Sequence, residues 1–412
     1  MSAIRDSDDS RHTGSLPLGR STRPVPASVW RAACVALLAN SADTFLLFLL
    51  LWIAQPQGWS GIQTALVVLA LRLPTLAAGV LIGRAIDRWG ILLPMLIDLT
   101  GRSGLLTVLF LLSRGGDVPL AAVLVLGGLA GTLSPATYAA IRTLVPRIVT
   151  GRHLVKANAV VAVSDQIPLL LGTILLAPAI AAFGAAGSLA VPVVLLLLAL
   201  SLAVTLPRGT TSRTARTPPT DGGARRRNWT THIVAIVALS TMYYFVYGPF
   251  ETAAPAYVRD QLAGDETTYG LLWTLFGVGA LAALPFAPRL ARRRPGVVNA
   301  VGAIVWGLVM LPLAFIQTPV VAAAVFLIGG LVWGPYTTVE TSALQRWVDP
   351  AKHGAVFGLQ RSLLTTATPL GAACGAIALE AVPPGIVLGA SAAACSLAGA
   401  AALLIRGLRT AR

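Results

Sequence analysis

The sequence predicts an all-α membrane protein of twelve transmembrane helices arranged as two pseudo-symmetric six-helix bundles. Three observations predict it. The chain of 412 residues is 56% hydrophobic and only 11% charged, with a mean hydropathy of +0.77; a soluble domain carries about 25% charge. Its apolar residues gather in runs near the length of about 20 that a helix needs to cross a hydrocarbon core. The first half also recurs weakly in the second. GGLAGTLSPATYAAIRTLVPR (127–147) resembles GGLVWGPYTTVETSALQRW (329–347), with Pro135 matching Pro335.

Taken in order, residues 1–28 are polar and lack an apolar stretch, so they read as a disordered cytoplasmic tail rather than a signal peptide. Six spans follow, 29–53, 61–83, 91–112, 118–141, 157–180 and 186–206, making an N-terminal bundle over 29–206. Between the second and third lies Gly83-Arg84-Ala85-Ile86-Asp87-Arg88-Trp89-Gly90, short enough only for a tight turn at the membrane surface. Gly83 and Gly90 give its backbone freedom to turn. Residues 207–230, rich in Pro, Gly, Thr and Arg, read as a flexible cytoplasmic linker. The second bundle, 231–406, holds spans at 231–257, 268–288, 296–316, 320–342, 355–379 and 385–405, and 407–412 is a closing tail.

An even number of spans places both termini on one side, and arginine decides which. Twenty-six of the 31 basic residues fall in the tails and loops of one side, and only Arg114 and Arg259 in those of the other. The positive-inside rule makes the basic side cytoplasmic in a cell-membrane protein. The net charge of +15 is thereby explained by the lipid bilayer, with no nucleic-acid partner. Cys34, Cys374 and Cys395 sit in apolar runs without metal-ligand spacing and are expected as buried, unpaired thiols. No phosphate-cradling Gly-x-x-x-x-Gly-Lys-Ser/Thr loop is present, and no metal, cofactor or catalytic cluster is expected.

Ionisable groups inside a span cost about 2.5–3.5 kcal/mol each on insertion scales, so they are paired, cavity-facing or functional. At a helical rise of 1.5 Å per residue, Asp43 and Arg72 each lie roughly 16 Å from the cytoplasmic end of their spans. They are expected to pair near the midplane, either as a static tie or with Asp43 as a switchable carboxylate for a proton or cationic substrate. Asp98 and Arg102 stand four apart, the spacing for a pair on one helix. Asp165 has no local partner and either packs near Arg102 or faces a central cavity. Glu340 and Arg361 lie at similar shallow depths, as a cytoplasmic-side pair. Glu251 follows Gly248-Pro249, an expected helix break, and is either an outer-gate residue or a solvated helix end. Among the aromatics, Tyr138, Tyr243, Tyr244, Tyr247, Trp273, Trp306, Trp333 and Tyr336 are candidates for a cavity wall, with Tyr243, Tyr244 and Trp333 the foremost for substrate contact, while Trp52, Trp59 and Trp89 read as interfacial.

The loop from Gly83 to Gly90 resembles the Gly-x-x-x-Asp-Arg-x-Gly motif of the major facilitator superfamily. Further pieces resemble its drug-efflux branch of macrolide efflux proteins and the enterobactin exporter. These are Asn40-Ser41-Ala42-Asp43, ALRLPTLAAGVLIGRAIDRWG, Asp98-Leu99-Thr100-Gly101-Arg102, and SPATYAAIRTLVP followed by LVKANAVVAVSDQIPLLLG. The chain departs from the family where Ile91 and Leu92 replace basic residues, where the fourth span lacks an arginine, and where Gly172-Thr173 replaces Gly-Pro. The resemblance implies a monomeric secondary transporter for a small amphipathic organic molecule. Proton-coupled export is the expected function, with Asp43 the first proton carrier and Asp165 the second; an uptake permease or facilitator is the alternative. It also implies a cytoplasmic latch, in which Asp87 meets a neighbouring helix end and Arg88 or Arg142.

Overall fold

The computed structural model describes residues 26–149, 152–207, 231–348 and 353–411, and these are helical almost throughout. Most of the expected tail and linker, residues 1–25 and 208–230, lies outside the described residues. The first half contains α1 (Ala27–Ala54), α2 (Gly61–Arg72 continued by Pro74–Trp89) and α3 (Leu92–Leu112). In α4, short segments from Leu120 lead through Gly128–Leu133 into Pro135–Ile148; then come α5 (Arg152–Ile174, continued by Leu176–Gly187) and α6 (Ala190–Ala203). The second half repeats the series. It has α7 (Thr231–Ala256), α8 (Glu266–Ala283, then Ala287–Ala291), α9 (Pro295–Met310), α10 (Pro319–Trp333, then Tyr336–Trp347), α11 (His353–Ala378) and α12 (Pro384–Leu404). Among the described residues, eight helices are individually long and apolar enough to cross a membrane, or nine if the bent α5 pair is one span.

Local chemistry sets the starts and stops. The Ser60 hydroxyl accepts from the Gln63 backbone while Gln63 accepts from Ser60, a reciprocal cap for α2. Asp265 caps α8 through the Thr268 backbone N–H at 2.9 Å. Prolines at 295, 319 and 384 open α9, α10 and α12, where a missing N–H costs nothing. The motif loop differs from its expectation. Residues 83–89 continue the helix to Trp89, and the turn is confined to Gly90 and Ile91, with Gly90 at φ 83°. That backbone conformation is open to glycine at little cost. Prolines stand where α4 is interrupted at Ser134 and α10 at Gly334 and Pro335. Pro249, by contrast, sits inside an unbroken α7. The fifth pass bends by 56° between Ile174 and Leu176, and the chain reverses near Gly184, at φ 70°.

Packing is the same in both halves. α1 lies against α5 and α6, α3 against α6, and α2 against α4; likewise α7 lies against α11 and α12, α9 against α12, and α8 against α10. The halves meet along α2–α11 and α5–α8, which is again one contact repeated by the pseudo-symmetry. Small residues allow these approaches. A Cβ on Gly371 of α11 would strike the Phe245 carbonyl of α7, and one on Gly131 of α4 would strike the Leu71 carbonyl of α2. Two expectations need correction. Cys34 and Cys374 are exposed on outward helix faces and only Cys395 is buried, because an apolar run in a membrane protein has a lipid side as well as a core side. Residues 406–410, expected as tail from 407, form a short helix that seats buried Leu408 against Gly296.

Candidate functional site

Of the charged residues predicted inside the spans, Asp98 pairs with Arg102 as expected, while Asp43 and Arg72 take other partners. Arg102 of α3 is the hub of the first half and is 1% exposed. Its Nε donates to Asp98 Oδ1 at 2.5 Å, and its Nη2 to Asp98 Oδ2 at 3.1 Å. Its Nη1 donates to Asp43 Oδ1 of α1 at 2.6 Å. Asp98 is further held by the Thr137 backbone N–H at 2.9 Å and by the Thr137 hydroxyl. One guanidinium therefore serves two carboxylates. Asp98 is fully buried and saturated with donors, while the Asp43 side chain remains 44% accessible. Nearby, the Asn40 amide donates to the Ser164 carbonyl at 2.9 Å, tying α1 to α5. Gly172 brings α5 against Thr44 and Phe45, so the Thr173 step of that helix is a packing position.

The expected Asp43–Arg72 pair is not formed. Arg72 reaches across the halves and donates from Nη2 to Glu251 Oε1 of α7 at 3.4 Å. Rise per residue gives each group's distance along its helix, but not the direction in which α2 faces. The helix lies at the seam with α11, so Arg72 points to the other half. Glu251 is 4% exposed, and its second oxygen has no partner among the described residues.

From this ion pair toward the arginine-poor end, contacts between the halves form a continuous seal. Phe48 meets Trp273 edge-on at 5.0 Å, and Trp52 stacks on Tyr269 at 5.2 Å. The Arg259 guanidinium lies over Trp52 at 3.8 Å. The Ile62 backbone N–H donates to Glu380 Oε1 at 3.1 Å, where Gly61 lets α2 touch the Ala376 carbonyl. Trp52 is therefore a buried closure residue and not an interfacial one. Phe48 and Tyr269 escaped sequence reasoning altogether, because an aromatic in an apolar run carries no mark of which surface it serves.

The aromatic candidates divide. Tyr243 is wholly buried, stacked on Trp333 at 4.4 Å and beside Tyr336 at 4.1 Å and Trp306 at 5.5 Å. It belongs to the core of the second half and not to a wall. Tyr244 and Trp333 are partly exposed, at 5.5 Å from each other. Tyr138 is partly exposed too, with the Arg142 guanidinium 4.2 Å above its ring. Glu340 is fully buried, and its oxygens have no hydrogen-bond partner among the described residues. The side chains of Asp87, Asp165 and Arg361 lie outside the described ones, and so do the contacts predicted for them; Gly83 lies within α2, and Arg88 is exposed at its end.

The comparisons agree with this architecture. The family model of the Major Facilitator Superfamily matches residues 32–372 and again 233–411. The multidrug efflux pump Tap of Mycolicibacterium fortuitum is 26% identical over 351 residues, covering 82% of this chain and 85% of Tap. An MFS-type transporter of Sinorhizobium fredii, y4rN, is 26% identical over 385 residues, covering 87% and 90%. Among solved structures, the D323A mutant of the nucleoside transporter NupG superposes with a TM-score of 0.74 at 13% identity, over 92% of this chain and 100% of that one. A bacterial homologue of the iron transporter ferroportin, in an inward-facing state, does so with a TM-score of 0.69 at 16% identity, over 93% and 99%. The chain belongs to the Major Facilitator Superfamily and is one of its membrane transporters.

Proposed function

We propose that the protein exports a small amphipathic organic molecule in exchange for protons, with both termini in the cytoplasm. The observation that carries this reading is the unequal pair of carboxylates on Arg102. Asp98 holds the guanidinium by two bonds and is sealed from solvent, whereas Asp43 holds it by one and is accessible. Protonating Asp43 leaves Arg102 still neutralised by Asp98, so one proton can be taken up at mid-membrane without stranding a buried charge. The resemblance to Tap favours efflux of drug-like molecules over other cargo.

Alternating access then consists of rocking the bundles 29–206 and 231–406 about this level, joined by the linker 207–230. The Arg72–Glu251 pair and the aromatic seal hold the outer side shut in one state and part in the other. An ionic contact present in one state only is what allows a proton or substrate to bias the equilibrium. Asp87 with Arg88 or Arg142, and Glu340 with Arg361, serve the cytoplasmic side; Asp165, Tyr138, Tyr244 and Trp333 line the path. The protein works as a monomer.

Direction is tested in everted membrane vesicles bathed in a cationic dye or in each of a panel of antibiotics. An inward-acid pH gradient imposed on them drives accumulation of at least one panel member. Accumulation independent of the gradient makes the protein a facilitator, and accumulation only under the reversed gradient makes it an uptake system.

A further inference from the structure

On its membrane-facing side the second half carries a groove between α9 and α10, with a volume of about 540 Å³. It has a polar end and an apolar body. Arg293 and Arg294 stand at the arginine-rich mouth, both exposed. The body is walled by Val301, Val305 and Leu331, which are 43%, 39% and 39% exposed on outward helix faces. Between them, about one turn and a half below Arg294 at 3.6 residues per turn, the wall includes Asn299. This side chain is 1% exposed, and neither its amide nitrogen nor its oxygen has a partner among the described residues. A buried, unpaired carboxamide costs stability unless something completes it. The neighbouring acid does not answer the arginines: Glu340, next in chain to the wall residue Val339, is fully buried and forms no ion pair with either.

We propose that this groove binds one anionic phospholipid from the leaflet on the arginine-rich side. The phosphate sits between Arg293 and Arg294 and near the start of α9, where free N–H groups add to the attraction. The glycerol and ester groups lie at the level of Asn299, and one acyl chain fills the valine-lined body. Charge, polar and apolar parts follow one another in the order and depth of a phospholipid. Gly302 supports the fit: a Cβ there would meet only Tyr336 Cδ2, at 3.9 Å, so this part of the groove is open space. The site is independent of the proton and substrate path.

The test is native mass spectrometry of the full-length protein with equal amounts of dioleoyl phosphatidylglycerol and dioleoyl phosphatidylcholine. The wild type retains one phosphatidylglycerol in preference to phosphatidylcholine. Arg293→Gln with Arg294→Gln lowers that preference by about tenfold. Gly302→Leu keeps both arginines but fills the groove, and it loses both lipids. Arg84→Gln with Arg147→Gln removes the same charge from the same face of the other half and leaves retention unchanged. Undiminished preference in the Arg293/Arg294 variant, undiminished retention in Gly302→Leu, or equal loss in the Arg84/Arg147 variant overturns the proposal. The last outcome would mean that general surface charge, not this groove, attracts the lipid.

Discussion

At the scale of single residues, the centre of the first half is an accounting of charge. Arg102 is buried and needs at least one carboxylate at all times, and Asp98 supplies it together with Thr137. Removing the guanidinium leaves Asp98 buried without its counter-charge. Arg102→Ala is therefore expected to cost about 3–5 kcal/mol, read as a lower unfolding temperature of the purified protein. Asp43→Asn leaves the Asp98 contacts in place and is expected to fold normally. A second charge experiment concerns the seal. Arg72→Glu and Glu251→Arg each place like charges at mid-membrane and abolish transport, whereas the double exchange restores the attraction and part of the activity. Failure of the exchange to recover any transport would make the pair incidental. Outside the membrane, Asp265 offers a check on stability. The Thr268 backbone N–H holds its carboxyl below the usual carboxylate range. The cap contributes above the ordinary aspartate pKa of about 3.9 and is lost as pH falls through the lowered folded value. Asp265→Ala is expected to lower stability by about 0.5–2 kcal/mol at neutral pH and by less in acid, as followed by thermal unfolding across pH.

Which ions meet was only half legible in the sequence. Rise per residue gives distance along a helix, yet Glu251, expected as an outer-gate residue or a solvated helix end, is buried against Arg72. Azimuth is set by how helices pack, and no local pattern records it. The side chain of Asp98 could be paired with Arg102 from the four-residue spacing alone, because one helix fixes both directions. Asp43 could not be assigned to Arg102 in this way, since the two stand on different helices. Tyr243 shows the same limit among aromatics. Its run is apolar on every side, so a core ring and a cavity ring look alike until α9 and α10 are in place.

At the scale of elements, the breaks are the legible part. Proline inside a helix removes a backbone donor and crowds the preceding turn, and Pro135 and Pro335 stand at the interruptions of α4 and α10 in matching places. Pro249 did not break α7, which is supported on its sides by α11 and α12. Close helix approach depends on residues that sequence marks only as small. Gly371→Val is expected to push α11 from α7 at the Phe245 carbonyl and to destabilise by more than the few tenths of a kcal/mol of a surface change. A variant with unchanged unfolding temperature would show that the contact relaxes freely.

At the scale of the whole molecule, the repeated packing of the two halves is the expected basis of motion. The seal joins α1, α2 and α5 to α7, α8 and α11 on the arginine-poor side. Pairs of spin labels at exposed positions 55 and 267, flanking that side, are expected to lie close in the resting protein. A transported substrate with a pH gradient should populate a longer distance. A single unchanging distance under every condition would contradict alternating access. The internal repeat made this architecture readable, because it is a property of long stretches. The inward details around Asp87, Asp165 and Arg361 were named from sequence, and their side chains lie outside those described.

The central claim is that Asp43 carries the proton. Its most direct test is substrate-dependent proton movement in proteoliposomes, wild type beside Asp43→Asn, over a panel of antibiotics and cationic dyes. The account predicts proton flux with at least one panel member in the wild type, and substrate movement without proton flux in Asp43→Asn. Proton-coupled transport that survives in Asp43→Asn with unchanged pH dependence would contradict it and reduce Asp43 to a structural ligand of Arg102.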